Sequence, residues 1–363
     1  MPTDVLRCVP MRSALLVLVV AGVCASADAA ATRDSKAPPL GELVGQRLVV
    51  GMRGQLPSES LLARIRAGEV GGVILFGRNV RDRSQVRTLT AALQAAARAG
   101  SRPTLLIAVD QEGGATRRFS WAAPSLSAAQ LGRLTPSAVE SQGKAAADAL
   151  VDVGVNVDLA PVADVPSVAG AFIAAQERAF SVSPTRVGLL ATAFAQGLHG
   201  GGVAATAKHF PGLGRARVST DVAAVTLTAT RDALDRDLLP YGRLITSGVP
   251  LVMLSNATYP ALDAKPAAWS PAVESLLRRT LGFTGVTITD ALDAAGPTHG
   301  RSVATAAVLS AQAGADLLLV TGSEAESEHV YDRLLAAAEA GSISQRNLER
   351  SYARISALKQ SVA

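Results

Sequence analysis

From about residue 38 onward, short apolar segments alternate with longer amphipathic segments along this chain of 363 residues. The short segments have the length and continuous apolar character of strands buried in a parallel sheet. Eight of them are found, at residues 47–52, 72–76, 104–109, 155–159, 203–207, 250–254, 286–289 and 316–320. The first is ambiguous, because it would also fit a helix. Segments rich in Ala, Leu and Arg with helical spacing lie between the others, at residues 84–99, 136–151, 184–199 and 303–313.

This alternation of strands and helices predicts an α/β protein with a parallel sheet. Eight units over this length favour a closed (β/α)8 TIM barrel over an open doubly wound sheet. No low-complexity linker follows residue 39, so we expect a single barrel domain over residues 41–363. Residues 344–360 are predicted to form a terminal helix that packs on the barrel.

The first thirty residues have the pattern of an export signal. Arg7 and Arg12 precede an apolar run at residues 14–23, and small residues at 25–29 offer an A-x-A cleavage site. The apolar run is too short for a comfortable membrane span. We therefore predict a signal peptide over residues 1–30 and export of the protein to the cell envelope or beyond.

Both cysteines of the chain, Cys8 and Cys24, lie in this predicted leader. The processed chain, which would begin with a short linker over residues 31–40, would then have no disulfide and no thiol nucleophile. Cys24 leaves open a lipid anchor with peripheral membrane association, although Val23 is bulkier than the small residue usual before a lipidated cysteine.

Composition and charge narrow the range of partners. The net charge of +5 is modest for this length, and only two tryptophans are present, which gives no support for nucleic-acid binding. No cofactor motif is found. The four histidines show no metal-ligand spacing, so no metal site is predicted. They are His199, His209, His299 and His329.

Polar side chains follow several of the predicted strands. In a barrel of parallel strands, the carboxyl ends of the strands form one rim, and this rim carries the active site. Any one of these side chains could instead cap a helix or form a loop salt bridge, but their convergence on one rim favours a site. The set comprises Asp110, Glu112 and Arg118 after strand three, Asp158, Asp164 and Arg178 after strand four, Lys208 and His209 after strand five, Asn256 after strand six, and Asp290 after strand seven.

Six ordered motifs of the chain resemble those of glycoside hydrolase family 3, specifically its single-barrel β-N-acetylhexosaminidases. The resemblance runs from about residue 43 to the C-terminus, and the order of the motifs makes it specific. The motifs are GGVILFGRN at 71–79, VDQEGG at 109–114, APVAD at 160–164, AKHFPG at 207–212, ATYPALD at 257–263 and GVTITD at 285–290.

The resemblance implies a retaining hydrolase that removes β-linked N-acetylglucosamine, for example from peptidoglycan fragments, through a covalent glycosyl-enzyme. Such chemistry needs a carboxylate nucleophile and an acid/base residue across the glycosidic bond. Asp290 matches the family nucleophile. The positions that match the sugar-binding residues of the family are Asp110, Arg118, Arg178, Lys208 and His209.

The chain departs from the family at the acid/base loop. Where the family has Asp-Ser-His, this chain reads Ser219-Thr220-Asp221, and the histidine of the Pro-Gly-His-Gly turn is Leu213. Asn256 also stands where many relatives carry histidine. An Asp-His pair raises the basicity of the imidazole and fixes its tautomer, and neither effect is available on this loop.

Three interpretations stay open. Asp221 acts as the acid/base residue, since carboxylic acids do so in most glycosidases. Alternatively, the chain has lost efficient protonation of the leaving group and is a sugar-binding protein of the cell envelope. It could also be a β-glycosidase with another sugar specificity. His299 is a distant candidate for a substitute acid.

Overall fold

The computed structural model describes residues 38–294 and 300–362. Eight parallel strands pair in chain order, and the last strand also pairs with the first. A parallel bridge between Ile288 and Leu317 joins the seventh strand to the eighth and completes the ring. The closed (β/α)8 barrel predicted from the alternation is therefore confirmed. Its strands are β1 (Leu48–Gly51), β2 (Gly72–Leu75), β3 (Leu106–Val109), β4 (Val157–Asp158), β5 (Ala204–Phe210), β6 (Leu251–Leu254), β7 (Val286–Thr289) and β8 (Leu318–Val320).

Helices surround the barrel, and several begin at the residue types that cap helices best. Ser58, Asp82 and Thr135 each accept a hydrogen bond from the backbone N–H three residues later. Residues 276–280 form a single π-helical turn. The α-helices are α1 (Leu40–Gly45), α2 (Glu59–Ala67), α3 (Arg83–Ala99), α4 (Ala128–Leu131), α5 (Pro136–Asp152), α6 (Phe172–Ala175), α7 (Pro184–Gly200), α8 (Arg231–Asp237), α9 (Leu239–Thr246), α10 (Pro271–Ser275), α11 (Val303–Ala313), α12 (Glu324–Glu339) and α13 (Gln345–Ser361).

The fourth and fifth predicted strands differ from the structure in ways that affect the site, whereas the other predicted bounds agree to within two residues at each end. The fourth is reduced to the two residues of β4, whereas the fifth continues through Phe210, which pairs with Leu254 of β6. Lys208 also forms a parallel bridge with Val162 beyond the end of β4. Lys208 and His209 therefore lie within the last part of a strand and not after it. The ambiguous first segment is a strand, since β1 pairs on both sides.

The interior of the barrel is filled by one apolar cluster, which includes Leu106, Met253 and Ile288. Ile355 and Leu358 of the terminal helix α13 belong to the same cluster. The predicted packing of the C-terminal helix on the barrel is thus observed. A larger apolar cluster joins the barrel to the surrounding helices.

Two short antiparallel hairpins follow the barrel strands at the C-terminal rim. Gln111–Gly113 pairs with Thr116–Arg117 after β3, and Thr258–Tyr259 pairs with Asp263–Pro266 after β6. The first hairpin carries Glu112 at a buried position. Polar side chains of the rim are therefore held by regular backbone pairing and not by irregular loops alone.

The predicted signal peptide with its two cysteines, and His299, lie outside the described residues. Of the predicted linker at 31–40 only the last three residues are described, and Leu40 already begins α1. Within residues 38–294 and 300–362, no helix is both long and apolar enough to cross a bilayer.

Candidate active site

A cavity of about 430 Å³ opens at the C-terminal rim of the barrel. Its walls come from the ends of seven strands and from the loop between β5 and α8. Every residue to which the resemblance and the acid/base loop give a catalytic or sugar-binding role lines this one cavity, whereas Glu112, Asp158, Asp164 and Asn256 of the strand-end set do not line it. The residues with such a role are Asp110, Arg118, Arg178, Lys208, His209, Asp221 and Asp290.

Lys208 lies at the centre of a buried charge cluster. Its side chain is only 2% exposed, and its Nζ donates hydrogen bonds to Asp110 Oδ1 at 2.7 Å and contacts Glu112 Oε1 at 2.6 Å. Burial alone would lower the pKa of Lys208, but the two carboxylates raise it above its ordinary value. Lys208 is therefore a permanent cation at neutral pH.

Glu112 holds two cations of the cavity wall. Arg178 donates to both of its carboxylate oxygens, from Nε and Nη2, at 2.8 Å each, and Lys208 contacts the same carboxylate. Burial alone would raise the pKa of Glu112, but Arg178 and Lys208 hold it far below its ordinary range. The sequence assigns no role to Glu112. Its position two residues after Asp110, in the Asp-Gln-Glu motif, is the sequence feature that could have indicated a place in the site.

Arg118 completes this side of the cavity. Its Nη2 donates to Asp110 Oδ2 at 3.2 Å, so Asp110 bridges Arg118 and Lys208. The three cations and two carboxylates form one connected network around the cavity. Groups of this kind can donate to and accept from the hydroxyls of a sugar ring.

His209 is oriented by a buried carboxylate that the strand-end pattern included, but to which no role was given. The ring Nδ1 of His209 lies 2.7 Å from Oδ2 of the fully buried Asp164. Asp164 Oδ1 accepts from the backbone N–H groups of His209 and Leu213 and from the hydroxyl of Tyr241. Nδ1 is thus the ring nitrogen that Asp164 holds, and within the described residues no hydrogen bond of Nε2 is found.

Asp290 follows directly on β7. Its backbone N–H donates to the carbonyl oxygen of Leu254, and its Oδ1 accepts from the backbone N–H of Ala291 at 2.8 Å. Burial raises the pKa of Asp290 above its ordinary value, and the negative charge of Asp221 adds to this, while His209 acts in the opposite direction. Asp290 and Asp221 both line the cavity.

Asp221 lies on the exposed loop between β5 and α8. Its Oδ2 accepts from Ser219 Oγ at 3.0 Å, and its backbone N–H donates to the same hydroxyl at 3.1 Å. Ser219 therefore fixes the turn that presents Asp221 to the cavity. Leu213, at the family's second histidine position, is buried, and the Asn256 amide donates to Ala291 O at 2.8 Å.

Two further carboxyl groups were not assigned to the site from sequence. Asp158, at the end of β4, accepts from the backbone N–H of Gln111 at 2.9 Å, and within the described residues its Oδ2 has no hydrogen-bond partner. Burial raises the pKa of Asp158 to about 8, so this carboxyl group is neutral at pH 7. Asp293 lines the cavity and accepts from the N–H and hydroxyl of Thr321 at 2.6 and 2.7 Å.

Across residues 38–294 and 300–362, no group of three or more His, Cys, Asp or Glu side chains is arranged to hold a metal ion. Two acidic side chains at the cavity, Asp110 and Glu112, are instead paired with arginine and lysine.

The closed barrel and the polar cavity at its C-terminal rim have the organisation of a TIM-barrel enzyme. Residues 40–358 match the family model described as the N-terminal domain of glycosyl hydrolase family 3. The chain therefore belongs to glycosyl hydrolase family 3, as its motifs predict. Over 324 residues it is 37% identical to an uncharacterized secreted glycosyl hydrolase of Arthroderma benhamiae, covering 87% of this chain and 92% of that protein.

Other relatives carry more specific names. A β-hexosaminidase of Pseudomonas aeruginosa is 36% identical over 269 residues, which cover 73% of this chain and 79% of that protein. The β-N-acetylhexosaminidase structure from Beutenbergia cavernae superposes with a TM-score of 0.83 at 31% identity and covers 89% of this chain and 99% of that one. A β-N-acetylglucosaminidase from Paenibacillus has the same TM-score at 33% identity. The match covers 90% of this chain but 63% of that longer one.

Proposed function

We propose that this protein is an exported, retaining β-N-acetylhexosaminidase that removes β-linked N-acetylglucosamine from glycans such as peptidoglycan fragments. The observation that carries the proposal is the single cavity that combines Asp290, Asp221 and the cluster around Lys208. The names of the relatives from Pseudomonas and Beutenbergia support the sugar specificity. The predicted leader and the secreted relative from Arthroderma support export.

In this proposal Asp290 attacks the anomeric carbon, and the bond to the leaving oxygen breaks as that oxygen is protonated. A short side chain at the end of a strand suits this role, because the barrel fixes its position closely. Asp110, Arg118, Arg178, Lys208 and His209 would bind the hydroxyls of the sugar. The network of Glu112 and Asp164 supports this assignment, because it holds the cations and the imidazole in place before substrate arrives.

Asp221 is the acid/base residue in the proposal. It would give a proton to the leaving oxygen and then take one from the attacking water. The position of Asp221 and Asp290 in the wall of the same cavity supports the assignment.

The test is release of 4-nitrophenol from 4-nitrophenyl β-N-acetylglucosaminide by the wild-type chain and by Asp290→Asn. We expect turnover by the wild type and a loss of roughly 10⁴-fold or more in the variant. NMR of the first-formed sugar would show the β-anomer for a retaining enzyme. Equal rates for the two proteins would remove Asp290 as nucleophile, and no turnover by either would remove the enzyme assignment.

A second candidate function, a sugar-binding protein without efficient catalysis, is favoured by the replaced loop motif Ser219-Thr220-Asp221. Calorimetry with N-acetylglucosamine separates the two candidates when it is combined with the rate measurement. Binding without turnover would establish the binder. Turnover of a 4-nitrophenyl β-glucoside in preference to the N-acetylglucosaminide would instead indicate another sugar specificity.

A further inference from the structure

A second polar cavity, of about 310 Å³, opens at the end of the barrel where the strands begin, on the side opposite the candidate active site. Its walls come from α10, the π-helical turn at 276–280, the end of α11 and the first half of α13. The wall residues share a polar or small character, and four of them are arginines. The arginines are Arg278, Arg279, Arg350 and Arg354.

Two of these arginines are already neutralised. Arg278 donates to Asp316 Oδ2 at 2.6 Å and to Glu274 Oε1 at 2.8 Å, and Arg354 donates to Asp316 Oδ1 at 2.9 Å. Asp316 is fully buried and also accepts from Ser351 and from Thr287. This pair of arginines is therefore part of the framework of the barrel base.

The other two arginines form no polar contact within the described residues. Arg279 and Arg350 are exposed, and neither makes a hydrogen bond or an ion pair within residues 38–294 and 300–362. They approach the same cavity from two separate segments, the π-helical turn and α13. Two guanidinium groups brought together without a carboxylate partner repel each other, so an anion between them would be favourable.

The charge balance of the cavity also favours an anion. The wall contains four guanidinium groups and the carboxyl group of Glu274, and Asp316 behind the wall pairs with Arg278 and Arg354, which leaves an excess of positive charge. Burial raises the pKa of Glu274 to about 7, with Arg278 opposing the rise and Asp316 adding to it. Asn347 and Gln312 add neutral polar side chains to the wall.

We propose that this cavity binds a phosphate group, with Arg279 and Arg350 supplying the N–H donors. A guanidinium fork matches phosphate oxygens in a two-point geometry, and phosphate offers enough acceptors for two arginines at once. The cavity is larger than a single phosphate, so the group would be carried by a larger molecule. This inference does not depend on the proposed glycosidase activity.

The experiment measures thermal unfolding of the full chain against inorganic phosphate and pyrophosphate, at constant ionic strength set with chloride. A ligand that binds only the folded state raises the Tm once its concentration exceeds Kd, and the Tm then rises with the logarithm of the ligand concentration. We expect this rise for the wild type and about a tenfold or greater loss of affinity in the double variant Arg279→Ala/Arg350→Ala. Pyrophosphate should bind more tightly than phosphate because it presents more charge and more acceptors.

The matched control is Arg236→Ala/Arg333→Ala, which removes two exposed arginines elsewhere and so changes the net charge equally. Its affinity should stay within about twofold of the wild type. An equal loss of affinity in both double variants, or no rise of the wild-type Tm with phosphate or pyrophosphate at constant ionic strength, would overturn the proposal. Because Arg279 and Arg350 are exposed and make no hydrogen bond or ion pair within residues 38–294 and 300–362, both double variants should retain a Tm close to the wild-type value without ligand.

A third arm identifies the source of the phosphate. A glycerol-phosphate oligomer presents phosphodiesters, as a polymer would, whereas a sugar 6-phosphate presents a phosphomonoester. Binding of either one that is lost with Arg279 and Arg350 supports the proposal and assigns its source. Oligomer binding that persists in the Arg279→Ala/Arg350→Ala variant would place polymer recognition elsewhere on the surface.

Discussion

The two ends of the barrel both contain buried charge clusters, but these clusters are balanced differently. At the base, Asp316 accepts from Arg278, Arg354, Ser351 and Thr287, so each of its oxygens is hydrogen-bonded. At the rim, Lys208 and the neighbouring arginines also form ion pairs with carboxylates, but these pairs border a cavity of about 430 Å³.

The two ends differ in whether carboxyl groups without a salt-bridge partner lie beside the network. The rim presents Asp290 and Asp221 to the cavity with no salt-bridge partner within the described residues, whereas the carboxylate at the base is fully enclosed. Similar ion pairs can thus line a functional site or stabilise the fold. The site is distinguished by titratable groups that border a cavity and have no counter-charge within the protein.

The largest effect expected in comparing the two ends of the barrel is the loss of turnover when Asp221 at the rim is replaced. Asp221→Ala should lower turnover of a substrate with a poor leaving group by roughly 10²–10⁴-fold, because such a group must be protonated as it departs. With the activated 2,4-dinitrophenyl leaving group the first chemical step should change little. Kinetics on both substrates check this, with Asp235→Ala, which removes an exposed carboxylate of α8 outside the cavity, as the control. Equal losses on the two substrates would exclude acid catalysis by Asp221.

At the base, Asp316→Ala should destabilise the fold without changing the chemistry. Removing the carboxylate leaves Arg278 and Arg354 as poorly paired charges, at a cost of about 3–5 kcal/mol in the free energy of unfolding. Urea denaturation measures this. The control Asp148→Ala breaks an exposed pair with Lys144 and should cost less than about 1 kcal/mol. Similar costs for both variants would contradict the importance given to the base network.

Glu112→Gln tests whether the rim network serves binding as well as stability. The change removes the charge that pairs with Arg178 and Lys208 while keeping the shape of the side chain. We expect a loss of about 1–3 kcal/mol in unfolding free energy and a rise in KM, since the sugar-facing cations lose their anchor. Glu69→Gln, which alters a pair with Arg64 outside the cavity, is the matched control and should leave KM unchanged.

The last prediction concerns Asp158, whose effect changes gradually with pH. Its pKa of about 8 in the folded state exceeds the unfolded value, so between about pH 4 and 8 the folded state binds one proton more. The stabilisation from this group is complete at low pH and is lost as the pH rises through about 8. In this window, stability should fall with pH by at most about 1.4 kcal/mol per unit.

The variant Asp158→Asn should remove this contribution, because an amide does not titrate, while its oxygen still accepts from the backbone N–H of Gln111. Urea unfolding at several pH values between 5 and 9 measures the slope. The exposed Asp148→Asn should leave the slope as in the wild type. An unchanged slope in Asp158→Asn would show that Asp158 is ionised in the folded protein at neutral pH.

Much of the fold could be predicted because each barrel strand is a continuous apolar run between helical segments. The fourth and fifth strands were the exceptions in their bounds. In both, pairing with neighbouring strands decides where the strand ends, and the apolar pattern does not report it. Lys208 and His209 are polar and so break the pattern, although they lie within β5.

The candidate site was also largely predictable, since parallel strands bring their carboxyl ends to one rim whatever their spacing in sequence. The residues not assigned to it are those whose role depends on burial. Glu112, Asp158 and Asp164 follow strands, as other candidates do, and only the contacts in the structure reveal their different roles. Glu112 bridges two cations, Asp158 is a buried acid that accepts from the backbone of Gln111, and Asp164 is the partner of His209.

The sequence by itself determined the alternation, the barrel class, the family and the order in which polar groups reach the rim, because these depend on periodicity and on ordered motifs. Only the tertiary structure decided which charges are neutralised and which stay unpaired, at the rim and at the base alike. The physical reason is that desolvation and pairing act over a few ångströms between residues far apart in the chain, such as Lys208 and Asp110.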